Sequence, residues 1–375
     1  MNLSEIVDQI ITLRERGATD GQMAEYLAST LRDAGAEVQI HAFAFSTHAH
    51  AAVGIVVLLL AAVFVAGAVK RRHRVACVAA LAIPLILLFE MRLGLHAISW
   101  PITKTAKNVI VQFPVQNPAR TVVVGTHYVQ AQLPPGEFMQ AISDFLLPMA
   151  VIMAVMGVWQ LMNCFGKLEP EDARTVMTVM GAVCAAFFGL WFASGFMKGV
   201  ARAPRYNSGS IAALVGLARD MTKRYPSLQN TAVTVAFFGE VGANASGARA
   251  FAKMLERHEE TGITPVYFIG LKELGRGGPH AFVIPYDESP GLSYADRDLM
   301  RVLNRAAFSI TGARLESVSS TIADSKGFVE YGFPSVTIAT APSTQTTDEI
   351  DRAQLLLSLQ LLERALMEFE RTTVM

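Results

Sequence analysis

Several residues have types and positions that could do chemistry. His127 closes the apolar run TVVVGTH, Glu240 follows TAVTVAFFG, and Lys272 follows PVYFIGL. An imidazole and a carboxylate at strand ends can ligate a metal or move protons. Read alone, each also has a plainer role: His127 hydrogen-bonding a neighbouring loop, Glu240 facing solvent or a helix N-terminus. Ser325 and Lys326 have the types of a Ser/Lys nucleophile, but adjacent side chains of an extended segment point to opposite faces, which argues against that chemistry. Asn207-Ser-Gly-Ser precedes an apolar-periodic helix and reads as an N-cap, with Asn207 or Ser208 as the capping residue. Glu90 and Arg92 interrupt a long apolar run; snorkelling to an interface is the simpler account, an intramembrane ion pair the functional one.

The elements around these residues are of two kinds. The chain has 375 residues, 32 Lys+Arg against 32 Asp+Glu, 52% hydrophobic and only 17% charged residues, where an average soluble protein has roughly 25% charged. Its mean hydropathy is +0.35. Zero net charge argues against a nucleic-acid partner, and the apolar content argues against a disordered chain. Cys77, Cys164 and Cys184 all sit in apolar runs and have no paired spacing, so neither a disulfide framework nor a four-cysteine zinc site is expected.

The apolar excess is concentrated in four stretches near the ~20 residues needed to cross a bilayer as helix: Ala51 to Val69, Val75 to Phe89, Phe145 to Gly166 and Thr175 to Met197. They pair into two hairpins, 49–98 and 144–198, through the links Lys70–Arg74 (KRRHR) and Lys167–Arg174 (KLEPEDAR). Four basic residues in the first link place it in the cytoplasm by the positive-inside rule. Residues 1–20 are polar and amphipathic and do not read as a signal peptide. The expectation is a multi-pass protein of a cell inner membrane with its soluble part outside the cytoplasm. Its partners would be the lipid bilayer and other membrane proteins, met through small residues such as Gly181, Ala182, Ala185 and Ala186.

Segments 1–48, 99–143 and 199–375 read as one discontinuous α/β domain that the hairpins interrupt. Helices are expected where Leu3, Ile6, Val7, Ile10 and Ile11, and then Met23, Leu27 and Leu31, recur at helical spacing. A strand follows in AEVQIHAFAF, then a pair, NVIVQFP and TVVVGTH, across a Pro/Asn turn. Helices and strands alternate from Asn207 to a last helix over about Thr347 to Arg371, which predicts a mostly parallel sheet with helices on both faces.

Four segments, in order, resemble the di-zinc aminopeptidase family that includes aminopeptidase S, glutamate carboxypeptidase and glutaminyl cyclase, and also the inactive nicastrin, nicalin and transferrin receptor. TVVVGTHYVQ resembles the family's G-A-H-Y-D-S segment and NSGSIAALVGLARDM its D-N-A-S-G helix. AFFGEVGANASGARAF resembles its F-x-x-E-E-x-G segment, and ADSKGFVEYGFPSVTIAT its S-D-H strand. The opening GATDGQMAEYLASTLRDAGAEVQIHAF is similar to its leading helix and first strand.

The resemblance implies two zinc ions held by His, bridging Asp, Glu, Asp and His, with a second Glu as general base. Carried over, the first His falls on His127, the bridging Asp on Tyr206, the paired acids on the single Glu240, the next Asp on Lys272 and the last His on Ser325. Three carboxylates, about −3, become 0, −1 and +1. A lysine ammonium some 4 Å from a dication costs on the order of 4 kcal/mol per unit of metal charge at an effective dielectric near 20. The expectation is therefore a degenerate, non-catalytic binding or assembly subunit with no cofactor. The alternative is a metallo-aminopeptidase or cyclase with one zinc on His127, Glu240 and Glu273.

Overall fold

The computed structural model describes residues 2–46, 49–92, 103–129, 132–133, 145–165, 171–194, 200–201, 205–224, 228–240, 246–259, 264–276, 278–284, 295–319, 324–340 and 350–371. The expected link residues 167–170 and helix start 347–349 lie outside these. The chain divides into two compact units, one of Met1–Phe43, Thr105–Ala131 and Arg202–Met375, the other of Ala44–Lys104 and Gln132–Ala201.

The first unit is built on an eight-stranded sheet in the order β1-β2-β6-β3-β7-β10-β8-β9. The strands are β1 (Val38–Ser46), β2 (Thr103–Phe113), β3 (Arg120–His127), β6 (Thr231–Phe238), β7 (Val266–Lys272), β8 (His280–Ile284), β9 (Glu316–Ser319) and β10 (Ser335–Thr340). β6, β3, β7 and β10 run parallel at its centre, while β2 joins β6 and β8 joins β10 antiparallel. Central strands covered on both faces need apolar residues at every position, and TVVVG, TAVTVAFF and SVTIAT supply them.

Strand alternation sorts these side chains. Val122, Val124, Val235, Ile269 and Ile338 face one core; Val123, Ala236, Phe238 and Phe268 face the other. Over the first core lie α1 (Leu3–Glu15), α2 (Asp20–Asp33), α7 (Ser208–Arg224), α9 (Arg297–Thr311) and α11 (Arg352–Arg371). Over the second lie α8 (Ser246–Glu259) and the short α10 (Asp324–Val329), with the Phe268 and Phe328 rings stacked at 3.8 Å. Capping boxes set the starts of α1 (Asn2 with Glu5) and α2 (Thr19 with Gln22).

Two expectations change. β2 and β3 are not a pair, because β6 is inserted between them. β3 must run parallel to β7 as well as β6, which a hairpin from β2 would forbid; the linker 114–119 spans the roughly 10 Å of a skipped strand. The Ser325 segment is helical rather than extended.

The second unit holds α3 (Ala49–Val69), α4 (His73–Leu87) followed by a π-turn (Leu88–Arg92), α5 (Leu146–Cys164) and α6 (Glu171–Ser194), with the short strands β4 (Gln132–Leu133) and β5 (Val200–Ala201). All four helices are long and apolar enough to cross a membrane by length and composition. Val53, Val57, Ala61 and Phe64 pack inward with Met153, Cys184 and Phe188, while Leu59, Val78, Leu147 and Val155 are 60% or more exposed. Glycine allows close approach: a Cβ on Gly54 would lie 3.0 Å from the Phe192 backbone. Gly181, expected to meet an outside partner, is instead buried against Phe64, and the Glu90 side chain is 6% exposed.

Candidate functional site

In an open parallel sheet, the chain's reversal of direction about a central strand leaves a crevice beyond the strands' carboxyl ends. Here that strand is β3: the chain goes to β6 on one side of it and then to β7 on the other. His127 is its last residue and pairs in register with Phe238 of β6. Glu240 lies two residues beyond Phe238, and Lys272 ends β7 in register with Ala339 of β10. Alternation puts His127 and Lys272 on the same sheet face.

The His127 ring is 3% exposed, and its Nδ1 lies 2.9 Å from Oδ2 of Asp324, the first residue of α10. The same oxygen accepts the His127 backbone N–H at 3.1 Å. One carboxylate thus fixes both strand end and imidazole. Nε2 is buried and has no hydrogen-bond partner among the described residues. The Tyr206 ring, 4% exposed, stands beside it with centroids 5.8 Å apart.

Asn207 is the brace of the site. It stands just before α7, its carbonyl accepting the Ile211 N–H, while its side chain reaches across the site: its Nδ2 donates to Thr126 Oγ1 and the His127 carbonyl, both at 2.9 Å, and its Oδ1 accepts the Glu273 N–H at 2.8 Å. These bonds tie the ends of β3 and β7 to the start of α7. Ser210 Oγ accepts the Leu274 N–H at 3.0 Å, and Gly209 sits so close that a Cβ would fall 2.0 Å from the Leu274 carbonyl oxygen.

Arg14, on α1, completes the frame. Its guanidinium donates to the carbonyls of Tyr206 and Tyr128, and burial lowers its pKa to about 10. The Tyr128 phenol donates to the Lys107 carbonyl at 2.6 Å, and burial pushes it well above the usual tyrosine range. Asn108 closes the loop after β6, accepting from Gly239 N at 3.0 Å and donating to Gly247 O at 2.9 Å.

Asn207, Glu240 and Glu273 have φ of 58°, 53° and 50°. Left-handed backbone at a non-glycine residue costs roughly 1–3 kcal/mol and clusters at functional sites. Three such residues gather at this edge.

The sequence-derived positions fall as follows. His127 and Tyr206 come together. Glu240 lies at the adjacent strand end, half-buried. Lys272 is half-buried on the His127 face. Ser325 is fully buried, its hydroxyl bonded to Thr337 Oγ1, and Asp324 rather than Ser325 meets His127. The Glu273 carboxylate pairs with Arg276 at 2.7 Å. Among the described residues no three His, Cys, Asp or Glu side chains are close enough to share a metal.

Sequence reasoning missed Asp324, Arg14 and the bracing role of Asn207. The available signals were an acid immediately before Ser325 and an arginine continuing the Ile6, Ile10 stripe of α1.

Legionella pneumophila LapA aminopeptidase superposes with a TM-score of 0.51 at 8% identity, covering 100% of this chain and 72% of that one. Porphyromonas gingivalis glutaminyl cyclase gives 0.50 at 13% identity, covering 98% and 97%. This chain has the zinc aminopeptidase and glutaminyl cyclase fold. An aminopeptidase from Aneurinibacillus sp. strain AM-1 matches at 0.44 and 16% identity over 72% of this chain. The chain spans about half the length of that enzyme and of a Bacillus subtilis zinc aminopeptidase, 50% and 52%. No protein-family model and no curated protein sequence matches.

Zinc in this fold is a test of the donor set. Among the described residues, Tyr206 stands where the resemblance puts the bridging carboxylate, Lys272 stands where it puts the next acid, and Glu273 is paired with Arg276. Among the described residues, His127 Nε2 is placed as a ligating nitrogen would be, since a carboxylate on the other ring nitrogen is how a ligating histidine is normally held.

Proposed function

We propose that this chain is an integral membrane protein whose zinc-peptidase-like unit acts by binding, as an assembly or recognition subunit, and not by two-zinc hydrolysis. The observation that carries the reading is the donor set at the β3 crevice: one imidazole committed to Asp324, with Tyr206 beside it. Asn207 and Arg14 hold the framework around it by hydrogen bonds, so the crevice keeps its shape without the charge that two dications require.

Membrane insertion rests on the four long apolar helices and their outward-facing Leu and Val side chains. The Lys70–Arg74 link then lies in the cytoplasm and the peptidase-like unit outside it. A reporter fused after Lys70 reads cytoplasmic and one at the C-terminus extracytoplasmic; the reverse would overturn this orientation.

A second reading is favoured by one observation, the unpartnered Nε2 of His127: a single zinc with His127 as ligand. Metal analysis of the purified chain decides between them, alongside peptidase assays on unblocked peptides and cyclisation assays on peptides with N-terminal Gln. The binding reading expects no stoichiometric zinc and no turnover. One zinc per chain, lost with activity in His127→Ala, would establish the second reading, and two would sink both.

A further inference from the structure

In the second unit, three seams between the long apolar helices are closed by glycine. A Cβ on Gly54 of α3 would meet the Phe192 backbone of α6, one on Gly67 of α3 would meet Ala76 of α4, and one on Gly157 of α5 would meet Leu81 of α4. Small residues let apolar helices approach closely. The seam between α5 and α6 is built differently: these two helices approach less closely, and sulfur fills the gap.

The Cys184 thiol of α6 donates to Met149 Sδ of α5 at 4.0 Å. The link from Cys164 to Glu171 is short, so the two helices form an antiparallel hairpin. Four residues on from Met149 is Met153, and four back from Cys184 is Met180; the next positions three further along are Met156 and Met177. Residues three and four apart share a helix face. The seam is therefore a ladder of sulfur pairs: Met149 with Cys184, Met153 opposite Met180, and Met156 opposite Met177. Cys184, Met153 and Met156 are buried in the unit's core, and Met149, Met177 and Met180 pack against it.

We propose that the Cys184 end of this ladder binds one copper(I) ion. Cys184 and Met149 are ligands, and the third sulfur comes from the adjoining rung, Met153 or Met180. Gap filling accounts for single methionines in a core; it does not require sulfur on both helices at every rung.

The donor types select the metal. Zinc takes thiolate, imidazole and carboxylate, and among the described residues no three His, Cys, Asp or Glu gather to hold it. Thioethers are soft, uncharged donors that suit Cu(I). On binding, the Cys184 S–H bond breaks, a Cu–S bond forms and the proton leaves to solvent, with copper unchanged in oxidation state. One monocation and one thiolate sum to zero, and thioethers complete the shell without adding an anion. Neutrality matters here, because an isolated charge is costly in an apolar interior. The spacing also fits: two sulfurs of a trigonal site with metal–sulfur bonds of about 2.3 Å stand about 4 Å apart, as Cys184 and Met149 already do. The adjoining rung lies about 6 Å along the helix, a span that the three rotatable bonds of a methionine cover.

The test uses the full chain in detergent, without oxygen and with ascorbate as reductant. It is titrated with Cu(I) against the chromogenic chelator bicinchoninate, and the bound copper is examined by X-ray absorption. One Cu(I) per chain, with sulfur neighbours alone, is expected; Ag(I) displaces it and excess Zn(II) does not. Cys184→Ala, Met149→Leu and the Met153→Leu, Met180→Leu double variant each weaken Cu(I) at least tenfold, while Cys77→Ser and Cys164→Ser leave its affinity unchanged. Leucine nearly conserves the volume of methionine, so Met149→Leu keeps the parent's unfolding temperature without metal and loses the rise that Cu(I) gives the parent. Failure to hold Cu(I) against the chelator, nitrogen or oxygen in the copper shell, or unchanged affinity in a Cys184→Ala, Met149→Leu double variant would overturn the proposal. No readout involves zinc or turnover, so the proposal stands or fails separately from the reading of the β3 crevice.

Discussion

His280 gives the sharpest pH-dependent prediction. It begins β8, is 6% exposed, and its Nε2 lies 2.6 Å from the Ser358 hydroxyl of α11. Ser358 already donates its proton to the Gln354 carbonyl at 2.8 Å, so the imidazole must donate through Nε2–H. A second proton would go to Nδ1 and leave a buried cation, and burial accordingly lowers the His280 pKa from 6.5 to about 4. Between those two values the unfolded chain binds the proton and the folded chain does not. Stability is therefore full above pH 6.5 and falls as the pH drops toward 4. The gap of about 2.5 units corresponds to about 3 kcal/mol at 1.36 kcal/mol per unit. His280→Gln keeps a donor for Ser358 and removes the titration. Urea unfolding followed by pulse proteolysis, on solubilised protein at pH 7, 6, 5 and 4, measures both. The variant should be the less stable at pH 7 and gain about 3 kcal/mol relative to the parent by pH 4. A difference between the two that does not change with pH would refute the reasoning.

Three further outcomes follow from the frame of the crevice. Arg14→Met strands the buried Tyr128 and Tyr206 carbonyls and should destabilise by about 2–4 kcal/mol in urea unfolding, with faster amide exchange at residues 205–208. Asn207→Gly tolerates the left-handed backbone but loses three hydrogen bonds, about 2–3 kcal/mol; Asn207→Leu adds backbone strain and should be lower still in the same assay. Gly209→Ala drives a methyl into the Leu274 carbonyl, so its unfolding midpoint should fall by an amount typical of core overpacking, about 1–3 kcal/mol.

Much of the α/β unit is legible from local pattern. β3, β6, β7 and β10 appear as apolar runs because central parallel strands are buried on both faces, and α7 to α9 follow from 3.6-residue periodicity. β9, four residues of ESVS with Val318 its one apolar side chain, carries too little local signal to be read as a strand and pairs along the edge that β8 offers. Locally, Asn-Ser-Gly-Ser before an apolar-periodic helix signals an N-cap at Asn207 or Ser208. Its actual partners, Thr126, His127 and Glu273, are up to 81 residues away, and no local rule reaches them. The resemblance singles out Ser325, but the turn that starts α10 points Asp324 to His127 and Ser325 to Thr337.

By itself the sequence determined the materials: four apolar segments of membrane-crossing length, an alternating α/β pattern, and the residue types available at the strand ends. Those follow from hydrophobicity and periodicity, which act over a few residues. Tertiary structure decided which strand lies beside which, that β6 separates β2 from β3, and that Asp324 and Asn207 hold His127. Such choices depend on parallel pairing and on buried polar groups finding partners, and a buried donor takes the acceptor that is near in space, whatever its distance along the chain.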